Sequence, residues 1–344
     1  MHDIELRSDT FTKPTEKMRR AMAEAEVGDD VFGEDPTIRR LETLAAEKLG
    51  KEAALFVASG TMGNLSCLLA HCGRGDEVIL GDQAHIHMYE QGGMAALGGI
   101  HPRVLHTQPD GSLVLEDIEA AIRADNQHFP ITRLIAIENT HNRCGGTALS
   151  VEYMNALGVF ARDHGLKIHL DGARIFNASV GLGVDAKKLV ADADSVTFCL
   201  SKALGAPVGA IVSGSREFIY KAHRARKVLG GGMRQAGIIA AAGVVALEEM
   251  VDRLSDDHAN AAVLAKGLAK LPGIEVEDVP VRTNMVYFHV RRDDISAAQL
   301  AERMTSKGVR MLPLDPTRIR LVTNYHVSAG DIETALDVFR EILN

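Results

Sequence analysis

Short apolar runs punctuate this chain, separated by longer stretches in which apolar residues return every three or four positions. The runs Ala53–Val57, Glu77–Leu80, Arg103–His106, Leu134–Ile137, Lys167–Leu170, Val196–Leu200 and Ala210–Val212 have strand length. The segments 116–123, 151–164 and 216–228 between or after them carry the helical period. Strand and helix patterns in alternation predict an α/β fold, a large domain with a mostly parallel seven-stranded sheet covered by helices on both faces. After a break near 250–254, the β-prone runs Ile274–Val279, Met285–Val290, Val309–Leu312 and Ile319–Val322, with helices between them, predict a smaller α+β C-terminal domain. The expected divisions are an N-terminal arm at 1–20, the large domain at 21–250 and the small one at 251–344. The arm is expected to pack on the small domain or on a neighbouring subunit.

Composition narrows the class of molecule. With 344 residues, 46% of them hydrophobic and 24% charged, the chain can bury a sizeable core. A net charge of −8 with few aromatics argues against nucleic acid as a partner. The one local basic cluster, Lys221, Arg224, Arg226 and Lys227, reads as a solvated helix face. Cys67, Cys72, Cys144 and Cys199 have neither metal-ligand nor disulfide-framework spacing, which suits buried thiols in a reducing cytoplasm. The longest apolar run, 236–247, has 12 residues, short of the ~20 that a spanning helix needs, and reads as a buried helix. Asp3, Glu5, Arg7 and Asp9 leave the start of the chain without the apolar centre of a signal peptide.

Three places carry candidate chemistry. Lys202 follows the run 196–200 and precedes a small-residue turn, so its amine stands at the lip of a buried strand. An amine in apolar surroundings loses solvation of its charged form and becomes a better nucleophile toward a carbonyl, although a lysine there can equally snorkel to water. Asp171 ends the segment 166–171 and precedes Gly172, placing a carboxylate at a second strand end, and ligands of open α/β sheets bind at that edge. Ser59, Gly60 and Thr61 join the run 53–57 to a helical stretch. A helix start of this kind can hold a phosphate through its amides and dipole, or can simply be well capped. The dinucleotide fingerprint and the Walker pattern are both missing. An amine, a carboxylate and a phosphate cradle at one sheet edge match what pyridoxal 5'-phosphate asks of a protein.

The stretches 6–15, 27–37, 59–64, 137–142, 169–174, 201–202, 230–237 and 319–323, in this order, resemble those of the threonine aldolases. These belong to the aspartate-aminotransferase-like, fold-type I group of pyridoxal phosphate enzymes, and the resemblance covers nearly the whole chain. It implies retro-aldol cleavage of threonine or allo-threonine to glycine and acetaldehyde, in a homotetramer with sites at subunit interfaces. It also implies roles for particular residues. Lys202 would hold the cofactor covalently, Asp171 would face its pyridine nitrogen, and Ser59, Gly60 and Thr61 would hold its phosphate. His85 would stack on the ring and serve in proton transfer, and Arg174 would reach the phenolic oxygen. Arg320, helped by Ser8, would grip the substrate carboxylate. His128 would stand near the β-hydroxyl, and Lys227 and Arg234 would approach the phosphate from a partner subunit.

Without the resemblance, Arg174 would be expected to pair with Asp171 or another acid, Ser8 to be a polar tail residue, and His128 to lie on the surface. Other readings stay open. The chain could be a different pyridoxal phosphate enzyme, such as a β-eliminating lyase, a serine hydroxymethyltransferase-like enzyme or an aminotransferase. It could be a metal-dependent hydrolase using His85 and His87, expected on one face of a strand, with nearby aspartates, although no further ligand stands at a recognisable zinc spacing. It could also be a silent oligomer that keeps the fold for scaffolding.

Overall fold

The computed structural model describes residues 3–280 and 283–343. In chain order its strands are β1 (Ile4–Glu5), β2 (Ala53–Val57), β3 (Glu77–Gly81), β4 (His101–Leu105), β5 (Thr132–Glu138), β6 (Lys167–Asp171) and β7 (Ser195–Cys199). They continue with β8 (Ala210–Gly214), β9 (Ile274–Val276), β10 (Met285–Val290), β11 (Val309–Arg310), β12 (Leu312–Pro313) and β13 (Arg318–Val322). Seven of them form one sheet in the order β2-β8-β7-β6-β5-β3-β4. Only β8 runs against its neighbours β2 and β7; the pairs among β7, β6, β5, β3 and β4 are parallel. A second, antiparallel sheet, β12-β13-β10-β9, belongs to the C-terminal part and has an apolar cluster of its own.

The two central strands are two-faced. On β6 and β7, Ile168, Leu170, Val196, Phe198 and Leu200 enter the main apolar core. The alternating positions His169, Asp171, Ser195, Thr197 and Cys199 are equally buried but polar or thiol-bearing. Against them lies the helix Gly60–His71, whose Asn64, Cys67 and His71 follow the i, i+3, i+7 stripe of one helix face. Hydrogen bonds join the two stripes, His71 to Ser195 (2.8 Å) and His169 to Asn64 (3.1 Å), and His169 to Ser195 (2.9 Å) links the two strands within theirs. This belt ends at the sheet edge where the pocket opens.

Several expectations are revised. Residues 85–88 form a short helix rather than a strand, because the first-turn amide of His85 is taken by Glu138 Oε2 at 2.7 Å. The run 309–312 is divided: Val309–Arg310 pairs in parallel with β1, while Leu312–Pro313 pairs with β13. Arg226 is not solvated. It follows Phe218 and Ala222 at four-residue steps on the buried face of the helix Arg216–Val228, donating to the carbonyl of Phe56 (2.8 Å) and to Asp30 (2.9 Å). The arm packs on the C-terminal part through β1, and the helix Glu16–Ala23 that follows runs through residue 20 to lie against Gly237–Glu249. That last helix holds most of the run 236–247 and buries nearly all of it. Among the described residues no helix is long and apolar enough to cross a membrane. All four cysteines are free and buried.

Candidate functional site

Asp171 and Glu138 stand opposite each other at the carboxyl ends of paired β6 and β5, and Lys202 lies in the loop by which β7 turns into antiparallel β8. That loop is pinned at its carbonyl. Gly205, whose φ of 77° suits glycine, donates to the Lys202 carbonyl at 2.9 Å, and Thr12 Oγ1 donates to it at 3.1 Å. A cavity of about 320 Å³ opens between this edge and the second sheet, lined by Lys202, Asp171, Arg174, His85, Ser8 and Arg320 among others. The cavity around the half-buried Lys202 combines these charged groups with apolar walls that include Ala173, Leu312 and Leu314.

Each side chain is held by a neighbour. Asp171 accepts from Asn64 Nδ2 (2.9 Å) and from the amide of Ala173 (3.1 Å). Arg174 is buried and pairs not with Asp171 but with Asp9 of the arm, through two short contacts of 2.7 and 2.6 Å. Burial alone would discourage both charges. The pairing outweighs it, so the guanidinium is raised and the Asp9 carboxyl is held below the usual carboxylate range. Ser8 is buried and caps the turn at 9–11 by accepting from the Thr10 amide (3.2 Å). Arg320 donates to Asn142 Oδ1 (2.9 Å) and to the carbonyl of Arg7 (3.1 Å), while its buried Nε has no partner. Glu138 braces two of these groups, accepting from the amide of His85 and, at 2.8 Å, from that of Asn142.

Pyridoxal phosphate fits this donor set. An oxygen of Asp171 that accepts one hydrogen bond retains a lone pair for a pyridine N–H, and Lys202 brings an amine to the same cavity. The helix Gly60–His71 starts beside the end of β7: a Cβ on Gly60 would lie 2.9 Å from Cys199 Sγ, so glycine alone lets that turn come so close. Ser59 caps it by accepting from the Met62 amide at 3.2 Å. The unpartnered Nε of Arg320 is what a bound carboxylate would satisfy.

A protein-family model described as beta-eliminating lyase matches residues 5–291. Full-length relatives include low-specificity L-threonine aldolase 1 of Arabidopsis thaliana, 49% identical over 100% of this chain and 97% of the relative. The low specificity L-threonine aldolase of Escherichia coli K12 is 46% identical over 99% of both chains. The chain belongs to the threonine aldolase family. A solved Leishmania major threonine aldolase has the same fold, with a TM-score of 0.83 at 23% identity over 98% of this chain and 99% of that one.

Six of the residues to which the family resemblance assigns roles do not line the cavity within one chain: Ser59, Gly60 and Thr61 at the helix start, and His128, Lys227 and Arg234. His128 sits on an exposed loop. Lys227 and Arg234 are on an exposed surface, Lys227 folded over Gly232 and Arg234 paired with Asp29 at 2.9 Å. His87 is exposed on the short helix and does not share a face with His85. Among the described residues the metal alternative survives only as His85, Glu90 and Asp171, whose ligand atoms lie within 4.8 Å of one another. Those atoms are already joined through hydrogen bonds to Asn64 and between His85 and Glu90. Residues that the sequence did not single out are Asp9, Asn64, Glu90, Glu138, Asn142 and Tyr89. Asp9, Asn64, Glu138 and Asn142 lie inside the very stretches that carry the resemblance.

Proposed function

We propose that this chain is a pyridoxal-phosphate-dependent aldolase that cleaves L-threonine and L-allo-threonine to glycine and acetaldehyde. The observation that carries the reading is the convergence of Asp171 and Lys202 on one cavity from the ends of adjoining strands. The names of full-length relatives at 46% and 49% identity support the substrate. When bound, the cofactor supplies an electron sink for the pair left at Cα. Lys202 would supply the amine that holds it. Asp171, oriented by Asn64, would accept from the pyridine N–H. Arg174 puts a cation into the cavity beside Lys202, its position fixed by Asp9. Arg320 and Ser8 grip the substrate carboxylate, and so decide which Cα bond stands ready to break. His85 covers the ring and takes the β-hydroxyl proton as the aldehyde leaves.

Ser59, Gly60 and Thr61 hold the phosphate. Lys227 and Arg234 come to it from a partner subunit, and His128 reaches the site by the same route, in a cytoplasmic homotetramer. The N-terminal arm, the large sheet domain through residue 250 and the small domain beyond it close on the site together. The test is the visible spectrum of the purified protein before and after adding threonine, with products assayed. Glycine and acetaldehyde are expected. An α-keto acid and ammonia instead would favour β-elimination, the second reading, which the match to the beta-eliminating lyase model supports.

A further inference from the structure

Glu90 belongs to neither the expected site nor the steps above, yet it is buried at 6% exposure beside the cavity. Its Oε1 accepts from His85 Nδ1 at 2.8 Å and from Asn64 Nδ2 at 2.9 Å. The chain turns sharply to put it there: Gln91 and Gly92 follow with φ of 55° and 63°, and Gln91 is the one described non-glycine residue with positive φ. A side chain in that region costs about 1–2 kcal/mol, so the surrounding contacts hold the turn against its own preference.

Donors and acceptors fix the direction of every bond in this buried group. The Asn64 amide nitrogen donates one hydrogen to Glu90 and the other to Asp171, so its carbonyl is left to accept from His169 Nε2–H. Burial pushes His169 down to about 4, so it is neutral, and its Nδ1 accepts from the Ser195 hydroxyl. Ser195 Oγ in turn accepts from His71 Nε2–H. By the same logic Glu90 takes the Nδ1–H of His85 and leaves the lone pair of neutral His85 on Nε2.

We propose that Glu90 is a positioning residue for the reaction: it fixes the tautomer and the basicity of His85, and Asn64 joins this carboxylate to the one beneath the pyridine nitrogen. The inference rests on the reading above in which His85 handles the hydroxyl proton. Four charged groups and one phenol face His85: Glu90 after its own helix, Glu138 at the end of β5, Asp171 at the end of β6, Lys202 after β7, and Tyr89, whose ring centre lies 5.5 Å from that of His85. Burial depresses its proton affinity, but the hydrogen bond to Glu90 and then Asp171 outweigh burial and the opposing Lys202, so the ring is raised above its ordinary value. Below that point His85 carries both protons and cannot accept another, so kcat/KM should fall on the acid side as His85 charges.

The test compares wild type with Glu90→Gln, which keeps an acceptor and loses the charge, and Glu90→Ala, which loses both. The full-length enzyme is labelled with 15N-histidine, and the His85 ring signals are assigned from their loss in His85→Asn. In Glu90→Gln the His85 titration midpoint should drop by about one pH unit, with the acid limb of kcat/KM moving alongside it and Nδ1 still protonated. kcat should fall roughly tenfold at unchanged KM. In Glu90→Ala the Nδ1–H tautomer should give way to a mixture. An unchanged midpoint in folded Glu90→Gln would overturn the proposal, as would an unmixed Nδ1–H tautomer in folded Glu90→Ala, and the first variant carries the test if the second does not fold. The ring signals report on Glu90 whether or not threonine is cleaved, so an error in the aldolase reading would show up separately as wild type that makes no glycine.

Discussion

The two faces of β6 and β7 are built from alternate residues of the same two segments, and they have opposite characters. One face, Ile168, Leu170, Val196, Phe198 and Leu200, is apolar and interchangeable in kind with the rest of the core. The other, His169, Asp171, Ser195, Thr197 and Cys199, is buried just as deeply but holds a directed run of hydrogen bonds against one helix. Apolar burial is non-directional and tolerates any shape that fills the volume, whereas a buried polar group is stable only when each donor meets an acceptor. The first face therefore secures the sheet, and the second determines where a charged group at its edge will point.

The strongest test of that division is at the edge itself. Lys202→Ala should abolish the visible absorbance of the bound cofactor and all multiple turnover, with the melting temperature of the cofactor-free protein close to that of wild type, as calorimetry would record. Retained turnover would reject the assigned role. On the apolar face, Phe198→Ala removes a ring packed edge-on against Phe176 at 5.2 Å. It should cost about 3–5 kcal/mol in urea unfolding, while kcat per folded molecule stays within about twofold. A large loss of kcat at intact stability would erase the distinction between the faces.

Acid should find the polar face first. Burial holds His169 at about 4 and His71 at about 3, both below the ordinary histidine value of 6.5. The unfolded chain binds these protons at higher pH than the folded one, so stability is complete above about pH 6.5 and falls as pH drops toward 4. His169 alone should contribute about 3 kcal/mol to that loss, and His169→Gln should flatten the dependence of the urea midpoint on pH between those limits by about one proton. The smallest of these effects lies across the cavity. Arg320→Lys keeps the charge but loses the paired donors, and should raise KM for threonine roughly thirtyfold, about 2 kcal/mol, with kcat affected less. An effect on kcat alone would move Arg320 from binding to chemistry.

Much of this was legible in the sequence. The runs 53–57 and 285–290 coincide with β2 and β10, and all seven strands of the large sheet lie where apolar runs predict them. Asp171 and Lys202 could be placed at strand ends because Asp171 follows directly on such a run and Lys202 comes two residues after one. The polar stripe was hidden for the same reason: His169, Ser195 and Thr197 sit inside segments whose apolar alternates dominate the pattern, and their partners Asn64 and His71 lie more than a hundred residues earlier. The short helix at 85–88 was also beyond reach, since His-Ile-His-Met alternates like a strand and its first amide is satisfied from the distant Glu138. Asp9 looked like part of a charged tail until Arg174 was found against it.

The arm couples the two ends of the chain. Ile4 and Glu5 pair with Val309 and Arg310, Asp9 accepts from Asn284, Arg7 lends its carbonyl to Arg320, and Thr12 bonds the carbonyl of Lys202. During synthesis the arm must therefore wait for strands made long after it, so a nascent chain can assemble its large sheet while the arm, and the cavity wall it carries, are still without their partners.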